Sequence, residues 1–107
     1  MKKKTKIAFL DRDGVINSGK VKGGYVGQIK DFKWLNGVKK AIQYLKSKKY
    51  KVVIVTNQSG IARGYFSIKD VHKLHKYLKE ELIKFGTTVD KIYFCPYHKD
   101  GIIKKYK

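Results

Sequence analysis

Asp11 and Asp13 stand two residues apart, directly after the apolar run Ile7-Ala8-Phe9-Leu10, and Gly14 follows them. In extended chain, residues at i and i+2 project to one side, so both carboxylates face one way and Arg12 the other. Two close carboxylates repel, which favours one ionised and one protonated group, the division of labour of a nucleophile and a general acid. A hard cation such as Mg²⁺ lowers that repulsion and attracts phosphate. Gly14 permits the sharp turn that keeps both acids together. Asp-x-Asp-Gly also opens calcium loops, but these need Glu at position twelve, which counted from Asp11 is Lys22. A turn built from Asp and Gly without chemistry has the same local composition.

A second polar group, Thr56-Asn57-Gln58-Ser59-Gly60-Ile61-Ala62-Arg63-Gly64, follows the β-branched run Val52-Val53-Ile54-Val55. Its hydroxyls, amides and backbone N–H groups are of the kind that cradle phosphate oxygens, and Arg63 adds a forked cationic donor. A helix opening near Ser67 brings its positive end to the same region. Loops after strands are commonly polar, so this segment gains meaning only beside the paired acids. The two arginines of the chain, Arg12 and Arg63, both fall in these segments, while every other side-chain cation apart from histidine is lysine.

Periodicity shows which elements must position these residues. Residues 6–10 are a short apolar run cut off by Asp11, the pattern of a buried strand entering a loop. Residues 14–35 lack a helical period and read as an extended loop or small hairpin. Asn36 is a good N-cap, after which Val38, Ala41, Ile42 and Leu45 form an i, i+3, i+4, i+7 stripe. Residues 51–56 are the clearest strand. Ser67 with Asp70 resembles a capping box, Val71, Leu74, Leu78, Leu82 and Phe85 line one helix face, and Gly86 closes it. Residues 91–95 read as a third strand. Strand, helix, strand, helix, strand implies an α/β fold, a Rossmann-like parallel, right-handed βαβαβ unit. Such sheets bind ligands beyond the carboxyl ends of their strands, where both polar segments fall.

The 107 residues carry 26 Lys and Arg against 8 Asp and Glu, a formal net charge of +18. That balance favours anionic partners. The cations are scattered lysines, however, and base readout or bidentate clamps draw on guanidinium groups, so no specific nucleic-acid binding is expected. Hydrophobic residues at 42% and aromatics at 13% fit a globular chain, and no repeat or linker divides residues 1–107, which read as a single domain. One cysteine rules out a disulfide framework and fits a reducing cytoplasm. No apolar run is long enough for a membrane span, and the basic Met1-Lys2-Lys3-Lys4 precedes too short an apolar stretch for export, so a cytoplasmic protein with no membrane partner is expected. His72 and His75, one helical turn apart, read as surface residues rather than metal ligands.

The segment from Phe9 to Asn17, Phe9-Leu10-Asp11-Arg12-Asp13-Gly14-Val15-Ile16-Asn17, followed by Val55 to Gly64, resembles the haloacid dehalogenase superfamily. Within it the likeness is to the D-glycero-D-manno-heptose-1,7-bisphosphate 7-phosphatases and the related histidinol-phosphate phosphatases. Gly24-Tyr25-Val26 and Cys95-Pro96 extend the likeness over essentially the whole chain. The resemblance implies a Mg²⁺-dependent phosphomonoesterase acting on a small sugar phosphate or a related small phosphorylated metabolite. Asp11 would be the nucleophile that forms an aspartyl-phosphate, and Asp13 would protonate the leaving oxygen and then activate water. Mg²⁺ would bind the Asp11 carboxylate and the Asp13 backbone carbonyl. Thr56 would hydrogen-bond the phosphoryl group, Asn57, Gln58 and Ser59 would line the substrate site with Arg12 and Arg63, and the loop around residues 18–28 would be a small flap.

The departures from the family pattern carry expectations of their own. Cys95 is followed by Pro96-Tyr97-His98, with tyrosine where the family's zinc loop has histidine, and there is no second cysteine. No structural zinc is therefore expected, and Cys95 reads as a buried thiol. The family's later phosphate-binding lysine and acidic metal ligand have no counterpart: Lys99-Asp100-Gly101 lies in the zinc-loop region, and Lys104 or Lys105 would substitute only electrostatically. The chain thus resembles the amino-terminal part of a phosphatase, for which weak or absent turnover, self-association, and rescue only by a longer chain or a complementing fragment are expected. Histidinol-phosphate phosphatase is the alternative activity. A basic module binding nucleic acid or other anions without chemistry is the alternative class.

Overall fold

The computed structural model describes residues 5–18 and 26–97; Gly24, Tyr25, His98, Lys99, Asp100, Gly101, Lys104 and Lys105 lie outside them. Strands β1 (Lys6–Leu10), β2 (Tyr50–Asn57) and β3 (Lys91–Cys95) form one parallel sheet in the order β1-β2-β3. β1 pairs with β2 from Lys6↔Tyr50 to Leu10↔Ile54, and β2 with β3 from Val53↔Lys91 to Asn57↔Cys95. All three carboxyl ends therefore open on the same edge of the sheet, with Asp11 and Gln58 the first residues past β1 and β2.

Helix α1 (Val38–Ser47) links β1 to β2, after a single 3-10 turn at Ile29–Asp31, and helix α2 (Ile68–Phe85) links β2 to β3. Because the strands advance in one direction, two right-handed crossovers put both helices on one face. The core lies there: Val52 and Ile54 of β2 meet Ile42 of α1 and Leu74, Leu78 and Leu82 of α2. The opposite face carries Ile7, Phe9, Val55 and Tyr93, and among the described residues no helix covers it; Phe9 is 67% exposed. Only Val53, which lies between Phe9 and Lys91 in the register, is nearly buried on that side.

The local signals in α2 are realised in full at its start. Ser67 Oγ accepts the Asp70 N–H at 3.1 Å and Asp70 Oδ2 accepts the Ser67 N–H at 3.0 Å, and Gly86 ends the helix at φ 101°. Phe85, expected inward, is 40% exposed: it is the last helical residue, and beyond the Gly86 turn Val89 supplies the core contact. Helix α1 begins later than Asn36 suggests. The Val38 N–H bonds the Leu35 carbonyl at 3.4 Å, closing a turn whose third residue, Gly37, sits at φ 81°. A left-handed residue at that point needs glycine, and Asn36 provides no cap.

Among the described residues of 14–35, isolated bridges join Asp13 to Asn17 and, antiparallel as in a small hairpin, Asn17 to Trp34, and Ile16, Val26 and Phe32 enter the core. Two other expectations change. The described end of the anticipated flap, Val26 and Gly27, is buried. Cys95 is exposed rather than buried, since strand alternation puts it with Lys91 and Tyr93 on the outward face.

Candidate active site

The two acids after β1 share a spacing but not an environment. Asp11 is exposed and takes no hydrogen bond or ion pair among the described residues. Asp13 is half-buried and surrounded by donors. Its Oδ1 accepts from Arg12 Nε at 3.2 Å, Arg12 Nη2 at 2.8 Å and Asn17 Nδ2 at 2.9 Å, and its Oδ2 accepts from Gln58 Nε2 at 3.0 Å. The backbone sets this up: the Arg12 carbonyl gathers the N–H groups of Val15, Ile16 and Asn17 while Gly14 turns the chain at φ 85°. That coil brings Asn17 back onto Asp13.

Arg12, expected to face away from the acids and onto substrate, is completely buried. Its long side chain folds back on Asp13, donates to the Val26 carbonyl, and reaches His75 Nε2 at 3.1 Å. Burial disfavours the guanidinium charge and lowers its pKa, against which Asp13 acts. Every one of these contacts is internal, and no part of Arg12 is exposed to meet a substrate in this structure. His75, expected at the surface, is 7% exposed. Burial, then the positive Arg12 and His72 and Lys79, outweigh Asp13 and push its pKa down to about 3. The imidazole is neutral, and because arginine only donates, Nε2 is the unprotonated acceptor and Nδ1 carries the proton. His72 is exposed and sets its ring edge on Phe94, with centroids 5.4 Å apart.

This buried histidine makes stability depend on pH. The unfolded chain binds a proton on His75 below its ordinary 6.5, whereas the folded chain refuses it until about 3. Between those values the unfolded state holds more protons, so stability falls as pH falls, by up to about 1.4 kcal/mol per pH unit. Asp70 and Asp90, whose carboxyls are held below the ordinary value of 3.8 chiefly by the Ser67 N–H and by Lys46, add a further loss only as pH drops through their own folded values. Urea unfolding at about pH 7 and about pH 5 should therefore show a clear loss in the parent protein and a smaller one in His75→Gln. Equal losses in both would assign the acid sensitivity elsewhere.

The second segment closes the site from β2. Thr56, Gln58 and Ser59 are buried, and Gln58 Nε2 reaches both Thr56 Oγ1 at 2.8 Å and Asp13 Oδ2 at 3.0 Å. The Gln58 N–H also bonds the Cys95 carbonyl at 2.8 Å, tying the end of β2 to that of β3. Past it the loop folds on itself: Ile61 N–H to the Gln58 carbonyl, Arg63 N–H to that of Ser59 and Tyr65 N–H to that of Gly60. These backbone donors are thus used within the loop, which buried Ile61 and Ala62 anchor. The structure brings Thr56 and Gln58 together with Asp13, leaves Asn57 exposed beside them, and holds Arg63 half-buried at the far end of the loop.

Phe66 was not signalled by the motifs. Its ring lies against the backbones of both Gly27 and Gly60, where an added Cβ would overlap it, at 2.5 Å in the case of Gly60. The hint in the sequence is a pair of glycines in the two loops that an aromatic follows. Gly60→Ala should displace that ring and cost about 1–3 kcal/mol, as overpacking does. Chemical denaturation and Phe66 ring shifts in NMR spectra measure it, and an unperturbed ring would refute the contact.

Among the described residues no group of three or more His, Cys, Asp and Glu side chains could hold a metal ion. Mg²⁺ needs no such cage, since it keeps several waters and takes one or two carboxylates together with substrate phosphate. The Asp11 carboxylate, without a partner among the described residues, suits it as a hard oxygen ligand better than the Asp13 carboxylate, which already takes four N–H contacts.

Three parallel strands, paired aspartates after the first and a threonine–glutamine segment after the second define a haloacid dehalogenase-like domain. A family model described as Polynucleotide kinase 3 phosphatase matches residues 6–105, and the chain belongs to that family. The D-glycero-beta-D-manno-heptose-1,7-bisphosphate 7-phosphatase of Rhodopseudomonas palustris is 45% identical over 100 residues, covering 94% of this chain and 54% of the relative. That of Helicobacter pylori (strain ATCC 700392 / 26695) is 48% identical over 91 residues, or 84% of this chain and 51% of the relative. The crystal structure of D,D-heptose 1.7-bisphosphate phosphatase from B. bronchiseptica, complexed with magnesium and phosphate, matches with a TM-score of 0.82 at 35% identity, over 90% of this chain and 52% of that one. The chain spans about half the length of the curated relatives it matches.

Proposed function

We propose that this chain carries the nucleophile and the acid–base group of a Mg²⁺-dependent phosphatase acting on a small sugar phosphate of the heptose-1,7-bisphosphate class. The observation that carries the reading is the unequal treatment of the two acids: Asp11 without a partner among the described residues, Asp13 held by four N–H contacts. A nucleophile needs free lone pairs and a proton carrier needs a fixed orientation. The names of the relatives support the substrate class, and residues 1–107 are read as one domain.

In the proposed reaction an Asp11 carboxylate oxygen attacks phosphorus while the bond from phosphorus to the sugar oxygen breaks, and Asp13 delivers a proton to that oxygen. Asp13 then takes a proton from water, which attacks the phosphoryl group, breaks its bond to Asp11 and releases inorganic phosphate. Thr56 and Asn57, at the carboxyl end of β2, orient phosphoryl oxygens, with Gln58 and Ser59 supporting them and Arg63 supplying positive charge. Mg²⁺, held by the Asp11 carboxylate and the Asp13 main-chain carbonyl, would supply charge neutralisation at the phosphoryl group.

The test is phosphate release, with and without Mg²⁺, from a heptose bisphosphate, histidinol phosphate and a 3′-phosphorylated oligonucleotide. The sugar phosphate should be preferred, and Mg²⁺ should be required. Release independent of Mg²⁺, or from the oligonucleotide above all, would overturn the assignment.

A further inference from the structure

The Asp13 carboxylate is clamped asymmetrically, and the clamp leads across the fold to α2. Oδ1 takes three N–H contacts, from Arg12 Nε, Arg12 Nη2 and Asn17 Nδ2, which use up its two lone pairs. Oδ2 takes one, from Gln58 at 3.0 Å, and keeps a lone pair. The orientation of this carboxylate follows that of the Arg12 plane, since two of the four contacts come from one guanidinium. That plane is fixed in turn at its other corners: Nη2 also donates to the Val26 carbonyl and Nη1 meets His75 Nε2 at 3.1 Å. His75 sits between the buried Leu74 and Leu78 positions of α2 and sets its ring against Phe94 at 5.7 Å, so its nitrogen is held by the core rather than by the loops.

We infer that His75 is a positioning residue: by accepting from Arg12 it locks the guanidinium, and through Arg12 it presents Oδ2 of Asp13 as the oxygen that carries the proton. The inference rests on the phosphatase reading for its catalytic consequence, but the clamp itself is independent of turnover. A residue 63 positions from Arg12 thus sets the geometry of the acid. An imidazole suits the task because a neutral ring nitrogen accepts one N–H without bringing a second charge into a buried site.

Two measurements on the full chain test it. In NMR spectra the Arg12 Nη protons should be resolved and slow to average in the parent protein, averaged in His75→Leu, and resolved again in His75→Gln, whose amide oxygen reaches the place of Nε2. In phosphate release, His75→Leu should lower kcat by about 10–100-fold with KM nearly unchanged, as loss of an orienting group does, and His75→Gln should recover most of it. Exposed His72→Gln should change neither. Arg12 signals already averaged in the parent protein, or unaltered by His75→Leu, would overturn the clamp. An altered Arg12 with kcat untouched would overturn its role in proton placement. Should His75→Leu not fold, His75→Asn, whose shorter amide does not reach Arg12 Nη1, takes its place in the spectra, and Arg12→Lys, which keeps the charge and loses the fork, in phosphate release. In a parent protein without turnover the Arg12 spectra alone decide the clamp.

Discussion

Asp11→Asn should eliminate the proposed Mg²⁺-dependent phosphate release and leave thermal unfolding where it is, whereas Asp13→Asn should also cripple release but lower the unfolding temperature. The same chemical change acts oppositely on stability because the two acids are held so differently. Asp11 is exposed and makes no hydrogen bond among the described residues, so its amide costs the fold little, within about 0.5 kcal/mol. An amide is no nucleophile, so turnover is lost. Asn at 13 presents an NH₂ group to the surrounding N–H donors and leaves the buried Arg12 without its carboxylate at 2.8 Å. An unsatisfied buried partner costs about 1–3 kcal/mol, and loss of general acid–base catalysis costs about 10²–10⁴-fold in rate. Differential scanning calorimetry beside a phosphate assay separates the two. Equal stabilities would show that the Asp13 clamp contributes nothing to folding, and an active Asp11→Asn protein would remove the covalent mechanism.

The second large effect concerns association in solution. One face of the sheet leaves Phe9 67% and Tyr93 52% exposed, with Ile7 and Val55 beside them, and among the described residues no strand pairs with the free edge of β1. Apolar surface next to unpaired strand hydrogen-bonding groups is a template for pairing with another chain. A net charge of +18 opposes it. Salt shortens the range of that repulsion to about 8 Å at physiological ionic strength, so the balance tips with salt. Light scattering should give a mean mass that rises with protein concentration and with NaCl, and Phe9→Lys should hold the protein near its monomer mass of 12.4 kDa. A mass indifferent to salt and to Phe9→Lys would show the face to be protected.

The sequence was legible wherever neighbours along the chain decide the outcome. The boundaries of β1 and β3 and the capping box of α2 rest on local alternation, β-branching and one Ser–Asp pair, and all were read at their places. Asn36 reads as a cap because a cap and a turn use the same residue types, and the glycine after it decides for the turn. Asp11 and Asp13 were legible as a pair, but not their division of partners. That division depends on His75 and Gln58, which only the folding of α2 and β2 against β1 brings to Arg12 and Asp13. Arg12 looked like a substrate ligand for the same reason: its type was visible and its burial was not. His75 sat at the margin of the stripe of Leu74 and Leu78, and that pattern alone could not show that the residue opposite would be an arginine seeking an acceptor.

The ring of Phe66, seated on Gly27 and Gly60, gives the two ligand-facing loops a common fastener. One loop leads from β1 by way of Val26, whose carbonyl also receives Arg12; the other leads from β2 by way of Gln58 and Ser59. They are therefore not independent arms. A movement that lifts residues 26–28 away from the sheet must either carry the Thr56–Arg63 loop with it or slide both backbones off the ring. The first changes access with the two loops still joined; the second frees the Val26 carbonyl from Arg12 and the loop after β2 from the ring in the same event. In that second case opening and loss of alignment are one mechanical step, with a phenylalanine outside both motifs as its pivot.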